Sequence, residues 1–393
     1  MRHVCAVTGS RADFGYLLPV LRRIANNPEM KLSVIATGMH LASQFGSTVH
    51  EVEASGIGEI ERVDTLIAGD APVSIANSIG VGVTKLAQVY DRLRPDILLL
   101  LGDRTETFAA AAAMVPFATP IAHIAGGEIT LGAIDDVLRH AITKMSHLHF
   151  VSTERYRDRL VQMGEEPFRV TVSGAPSLDN LREMTLLGAD ALSSSIDVDL
   201  APAPLLVTFH PVTLEHEEAK AQIDDLLSAL EVLKMPVVFT YPNADTNSHV
   251  IIAAVERYVA SHPDSRFITN LGTLRYFSLM RYAAAMVGNS SSGIIEAASF
   301  ELPVVNIGAR QGGRDRGVNV LDVDSESRAI VDAVRQATSS KFRRGIAGMT
   351  NLYGDGHAAE RIVARLRTVP LGRELLMKKF FDVPKTIAHE VAV

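Results

Sequence analysis

The chain has one cysteine, no excess of positive charge and no apolar run long enough to cross a bilayer. Each shortage excludes something. Cys5 stands alone in an apolar first segment, so it cannot form an internal disulfide and reads as a small core residue rather than a reactive thiol. Forty-five acidic against 38 basic residues give a net charge of −7. That balance argues against an extended nucleic-acid surface and leaves room only for a local anion site. The best candidate for a membrane segment, "LLLLGDRTETFAAAAAMVPFATPIAHIAGGE" (98–128), is broken by Pro116, Pro120 and His123. Its core, "ILLLL" (97–101), is far short of the ~20 residues a spanning helix needs. The start, "MRHVCAVTGS", runs straight into a strand-like segment and a glycine turn instead of a leader. A soluble, cytoplasmic protein with no membrane or nucleic-acid partner is the expectation.

Several signatures are missing as well. No G-x-x-x-x-G-K-[ST] occurs, which excludes a P-loop. "GSRADFG" after the first strand lacks the middle glycine of G-x-G-x-x-G, which weakens a dinucleotide reading. "GNSSSG" (288–293) misses the nucleophile elbow by one residue. His147 and His149 in "HLH" share a strand face but have no third ligand at zinc spacing, so they read as structural and no metal site is expected.

What remains is a regular alternation. With 47% hydrophobic and 21% charged residues over 393 positions, the chain reads as globular and suits two domains of similar size. Short runs rich in valine and isoleucine alternate with helix-length amphipathic stretches: "HVCAVTG", "LSVIATG", "DILLLLGD", "PIAHIAGG", "HLHFVST", "LLVTFHP", "PVVFTYP", "RFITN", "AAMVGNS" and "PVVNIG". Continuous apolar strands between helices predict α/β architecture with parallel sheets covered on both faces, where ligands gather at the carboxyl ends of the strands. The periodicity lapses in "LLGADALSSSIDVDLAPAPL" (186–205). The expected division is therefore a domain over 1–185, a linker over 186–204, a second domain over 205–365 and a tail over 366–393 that packs back. "DTLIAGDAPVSIANSIGVG" (64–82) reads as a lid or as an ordinary surface loop.

Candidate chemistry sits at the predicted strand ends. In "VGNSSSGIIEAASF", Ser290, Ser291 and Ser292 lead into a helix containing Glu296. Free N–H groups at that helix start suit a phosphate, with Glu296 placed to accept from a ribose diol; the alternative is a plain serine cap. Arg11 and Asp13 follow the first strand, and Arg104 follows Asp103. An arginine there can hold a phosphate oxygen, while Asp103 alone reads first as the structural partner of Arg104. In "GGEITLGAIDDVLRHAITKM", Asp135 and Asp136 open a helix, where i, i+4 spacing also allows surface pairs with Arg139 and His140. Convergence favours function: Asp103, Glu128 and the Asp135–Asp136 pair belong to one sheet edge, and "TFHPVTLE" adds His210. Several carboxylates and a histidine beside a phosphate site suit acid–base chemistry on a nucleotide-linked substrate.

Taken together, "TGSRADFG", "TGMHL", "LGDR", "HIAGGE", "GAIDD", "RHAITKMSHLHF", "FHPVT", "YPNADT", "GNSSSGIIEA" and "NIGARQGGR" resemble the hydrolysing UDP-N-acetylglucosamine 2-epimerases of sialic and related nonulosonic acid biosynthesis. The resemblance runs in order from about residue 3 to 320. It implies a GT-B-like fold, two Rossmann-like doubly wound domains facing a central cleft. It implies loss of UDP from C1 with loss of the C2 proton, giving a 2-acetamidoglucal that water converts to free N-acetylmannosamine, with no cofactor. By matching motif it puts Arg11, Arg104, Ser290, Ser291 and Glu296 on the nucleotide, with Asp13 and Asp136 in the substrate-binding set. It makes Asp103, Asp135 and His210 catalytic. One position departs: many relatives carry Glu where "HIAGGE" has Ala125. That makes Glu128 the substitute acid or base, or else reflects a different sugar such as nucleotide-linked N,N'-diacetylbacillosamine. A homo-oligomer is expected through the resemblance alone. A GT-B glycosyltransferase, an inactive nucleotide-sugar sensor and a non-hydrolysing epimerase are the competing readings.

Overall fold

The computed structural model describes residues 1–43, 46–67, 69, 71–130, 134–211, 218–241, 248–269 and 271–384. Parts of "GAIDD", "FHPVT" and "YPNADT", two positions of the 64–82 stretch and the last nine residues lie outside them. The chain forms two compact units. One comprises Met1–Glu128, Ile134–Arg182 and Gly354–Val393, the other Ile129–Ala133 and Glu183–Tyr353.

The first unit is built on a parallel seven-stranded sheet: β1 (Arg2–Thr8), β2 (Met30–Thr37), β3 (Glu59–Val63), β4 (Ile97–Leu101), β5 (Ile121–Ile124), β6 (Leu148–Val151) and β7 (Val170–Val172), in the order β3-β2-β1-β4-β5-β6-β7. The central strands are apolar on both faces because helices cover both. Val4, Ala6 and Leu99 pack with Leu17 and Leu21 of the helix Arg11–Ala25, while Cys5, Val7, Leu98 and Leu100 pack with Leu86 and Ala110 on the other face. This two-residue alternation is the strand period applied to a sheet with no wet side. Cys5 is thus a core residue, and burial pushes its thiol up to about 12.

The second unit carries a parallel six-stranded sheet: β8 (Leu205–Thr208), β9 (Val237–Thr240), β10 (Arg266–Ile268), β11 (Ala285–Gly288), β12 (Val304–Ile307) and β13 (Val320–Val323), in the order β10-β9-β8-β11-β12-β13. Both sheets wind outward from a central pair, β1/β4 in one and β8/β11 in the other. There the direction of winding reverses, and the loops after those strands part to leave a crevice.

Three strands went unread in the sequence: β3, β7 and β13. All are edge strands. Their residues, "EIERV", "VTV" and "VLDV", are only partly buried, so the apolar run that marks a central strand is missing.

Three boundaries differ from expectation. The helix Pro72–Leu93, entered through a proline at its first position, occupies most of the 64–82 stretch, which was expected to be a lid or a surface loop. The expected linker holds the helix Ala189–Ile196, part of the second unit. Leu192 and Ile196 are buried one turn apart, and Leu187 N–H donates to Ser278 Oγ at 3.0 Å. The serines between them hid this short apolar stripe. Finally, the helix Ala358–Thr368 belongs to the first unit rather than the second. Ile362 and Leu366 join the core around Leu17, and the Asp179 carboxylate accepts from Ala358 N–H and Ala359 N–H, both at 2.9 Å. No helix among the described residues is long and apolar enough to cross a membrane.

Candidate functional site

In the first unit the crevice lies at the ends of β1 and β4. After β1, Ser10 Oγ accepts from Asp13 N–H at 3.3 Å and caps the helix Arg11–Ala25, which fixes Asp13 in its first turn. Burial raises the Asp13 pKa, opposed by the Arg104 guanidinium. After β4, Gly102 turns at φ +74°, and Asp103 and Arg104 leave in different directions. Arg104 Nε lies 3.6 Å from Glu106 Oε2 and 3.8 Å from Asp13 Oδ2. Asp103 instead meets Arg139. Asp103 and Arg104 therefore fall in two separate clusters rather than in the expected partnership.

Arg139 reaches beyond its own helix. It lies on the inward face of the helix Ile134–Met145, almost fully buried, bonded to Asp103 and 3.9 Å from Glu128. Arg139 thus pairs with Asp103, a residue outside its own helix, which i, i+4 spacing could not reveal. Asp136 does approach His140, at 3.7 Å. Asp135 and Asp136 open the helix as expected, where its dipole favours negative charge. Arg11 lies 3.4 Å from Glu51, with both side chains largely exposed.

A buried histidine braces this cluster. His123 on β5 meets the Gly102 carbonyl through Nε2 at 2.7 Å and Thr143 Oγ1 through Nδ1 at 3.2 Å. Burial lowers its pKa to about 3, so the ring is neutral and its Nε2 hydrogen faces the carbonyl. It links the turn that carries Asp103 to the helix that carries Arg139. His149 is structural in a similar sense, with Nε2 2.9 Å from Glu165 Oε2.

Sequence reasoning overlooked Glu106. Its carboxylate is buried against Gly9 and Gly38, and a Cβ at Gly38 (φ +56°) would overlap it. The available signal was an acid at the mouth of an alanine-rich helix, "TETFAAAAA", where a buried charge needs a partner. Ala125 has φ +63°, and its methyl group packs in the core with Leu101 and Ile124. Nearby, Glu128 is buried beside Arg139.

The second unit presents a different set at the ends of β8 and β11. Asn289 clasps His210 in both directions: its Oδ1 accepts from His210 N–H at 2.7 Å and its Nδ2 donates to the His210 carbonyl at 2.8 Å. Burial, reinforced by the Arg310 charge, lowers the His210 pKa to about 3 and leaves the imidazole neutral. Arg310 and Gln311 both donate to the Asn289 carbonyl, at 3.1 and 2.8 Å. A Cβ at Gly288 (φ +134°) would overlap the Thr208 carbonyl, so only glycine lets β8 and β11 approach this closely.

Ser290 caps the following helix, accepting from Ser292 N–H at 3.4 Å. That helix, Ser291–Ile295, is barely more than one turn, so its dipole is small. Phosphate binding here would rest on local N–H groups and hydroxyls rather than on a long helix. Tyr276 joins them. Burial pushes its pKa up to about 12, opposed by the influence of Ser292, Thr208 and Ser290 on its hydroxyl. Glu296 lies just past the helix, buried, its charge felt at Tyr276. Asn289, Tyr276, Arg310 and Gln311 were not singled out in the sequence, since amides and a tyrosine carry no spacing signature.

Among the described residues no group of three or more His, Cys, Asp or Glu is arranged to hold a metal ion. Comparison with known proteins identifies the family. Residues 22–367 match the family model described as UDP-N-acetylglucosamine 2-epimerase. The chain is 37% identical to the UDP-N,N'-diacetylbacillosamine 2-epimerase (hydrolyzing) of Legionella pneumophila, over 96% of this chain and 99% of that protein. It is 33% identical to a UDP-N-acetylglucosamine 2-epimerase of Neisseria meningitidis serogroup B, over 86% and 88%. A crystal structure of UDP-GlcNAc 2-epimerase from Neisseria meningitidis bound to UDP-GlcNAc superposes with a TM-score of 0.78 at 20% identity, covering 93% and 99%, and shares the GT-B-like fold. A match over most of its length, with two doubly wound sheets beneath it, makes this chain a member of the hydrolysing UDP-N-acetylglucosamine 2-epimerase family.

Proposed function

We propose that the protein removes UDP from a UDP-linked 2-acetamido sugar and releases the free sugar epimerised at C2. The C1–O bond to the diphosphate breaks and the C2 proton leaves, giving UDP and a 2-acetamidoglucal. Water then adds hydroxyl at C1 and hydrogen at C2 on the opposite face. The observation that carries this reading is the pair of carboxylates, Asp103 and Glu128, gathered around the buried Arg139 at the β4/β5 strand ends. Carboxylates are the side chains that exchange a proton with a weakly acidic C–H, and the Arg139 guanidinium holds these two at one place. Asp103, Glu128 and Asp135 are assigned the proton transfers. Arg11, Asp13, Arg104 and Asp136 are assigned substrate contacts. Ser290, Ser291, Glu296 and the neutral His210 are assigned the nucleotide, with Tyr276 and Arg310 beside them.

For the sugar, the Legionella relative favours UDP-N,N'-diacetylbacillosamine, while the less similar Neisseria relative supports UDP-N-acetylglucosamine. We place diacetylbacillosamine first and N-acetylglucosamine second, each product a precursor of nonulosonic acids. A homo-oligomer is also proposed, to be checked by sedimentation velocity.

Proton NMR of the purified protein with each UDP-sugar in D2O tests the reading. A free 2-epimer carrying deuterium at C2, with UDP released, is expected. A product that retains UDP would point to a non-hydrolysing epimerase. No reaction with either sugar, despite UDP-sugar binding, would sink the enzyme assignment in favour of a sensor.

A further inference from the structure

The end of the described chain is stitched back onto the rest of the first unit, to which it belongs. Arg169, fully buried, donates to the Leu375 carbonyl at 2.7 Å and to the Glu374 carbonyl at 3.2 Å. Phe381 N–H donates to the Gly164 carbonyl at 2.9 Å, and Lys379 N–H to Glu166 Oε2 at 3.3 Å. The Phe380 ring fills the space where a side chain on Gly164 (φ +86°) would sit. Between these points lies Lys378. Its ammonium pairs with Glu165 at 2.7 Å and donates to the Ser146 and Lys144 carbonyls at 2.7 and 3.0 Å.

Glu165 is fully buried, and it also meets Lys144 Nζ at 2.6 Å and His149 Nε2 at 2.9 Å. The two carbonyls held by Lys378 belong to the end of the helix Ile134–Met145, where orphan carbonyls and the dipole attract a cation. That same helix carries Arg139, bonded to Asp103, and Thr143, bonded to His123, which bonds Gly102. Asp103 is therefore reached from this helix by two routes, one through its carboxylate and one through the turn before it.

We propose that Lys378 is a positioning residue for the proton-transfer carboxylates: by pinning the carboxyl end of the helix Ile134–Met145 to Glu165, it sets the placement of Arg139 and hence of Asp103. The inference rests on the function proposed above. A merely structural lysine would affect stability alone, because an apolar side chain can fill a strap as well as a charged one. A positioning lysine affects the chemical step, since small misplacements of reacting groups are costly in rate.

The test compares Lys378→Met with wild type, using Lys379→Met, an exposed neighbour, as control. Lys378→Met is expected to lower kcat about tenfold, with KM and UDP affinity changed less than about twofold and faster amide exchange over 134–145. The control is expected to match wild type. A kcat within twofold of wild type in Lys378→Met overturns the proposal, whatever happens to Tm. If that variant fails to fold, Glu165→Gln takes its place with the same kcat-selective expectation. If the wild type turns over no UDP-sugar, the function reading falls on its own. Exchange over 134–145 then still decides the anchoring, and unchanged exchange in the variant overturns it.

Discussion

The two units share a winding plan and differ in what fills it. In the first, the crevice holds guanidinium groups set among acids: Arg104 near Asp13 and Glu106, Arg139 near Asp103 and Glu128. In the second, the same topological position holds an amide clasp, a serine-rich loop, a tyrosine and a neutral histidine. Topology decides where a ligand can enter, and loop residues decide what is done to it. Under the proposed function the contrast is a division of labour. Carboxylates suit proton transfer, whereas serine hydroxyls, loop N–H groups and the nearby Arg310 suit the charge of a departing diphosphate.

The sharpest way to break this contrast is Asp103→Asn. The isosteric amide keeps a hydrogen-bonding group beside Arg139 but cannot accept a proton. Turnover should fall by about 10²–10⁴, with UDP affinity close to wild type and Tm lowered, because the buried Arg139 loses a charged partner. Full activity would remove Asp103 from the mechanism. A smaller effect of opposite type is expected from Ser290→Ala combined with Ser291→Ala. UDP should bind about tenfold more weakly, read by calorimetry, while deuterium incorporation at C2 per turnover is retained. Unchanged UDP affinity would leave the phosphate assignment without support.

Acid should separate the two units most gently. Burial lowers His123 to about 3 and His40 and His147 to about 4 in the first unit, and His210 to about 3 in the second. Below the ordinary histidine value near 6.5 the unfolded chain takes protons that the folded one refuses, so stability falls as pH drops from there toward 4 and 3. Glu165 adds to this. Burial alone would raise it, but the His149 hydrogen bond and the two lysines bring it down to about 2. Its contribution is present above about 4.5 and is lost as pH falls toward 2. With most of these groups in the first unit, amide protection there should drop first between pH 6.5 and 4, after correction for intrinsic exchange rates. Earlier loss in β8–β13 would contradict the assignment.

Central strands, both serine and carboxylate loops and the acids opening the helix Ile134–Met145 were all legible in the sequence. A strand buried on both faces must be apolar throughout, and a loop at its end must be glycine-rich or polar. The edge strands β3, β7 and β13 were not legible, because each is only partly buried and its composition resembles a loop, whereas the edge strand β10 was read from "RFITN". Nor was the helix Ala189–Ile196, whose two apolar residues are separated by three serines.

By itself, then, the amino-acid sequence determined the alternation of strands and helices, the parallel sheets and the crevice ends where reactive residues collect. These follow from burial and from local backbone preference, which act over a few residues. The partners were decided only by the tertiary structure. Asp103 meets Arg139 rather than Arg104, Glu106 is buried beneath Gly38, Asn289 clasps His210, and Lys378 returns to Glu165. Ion pairs and hydrogen bonds depend on which side chains are brought within about 4 Å, and separation along the chain does not encode that distance.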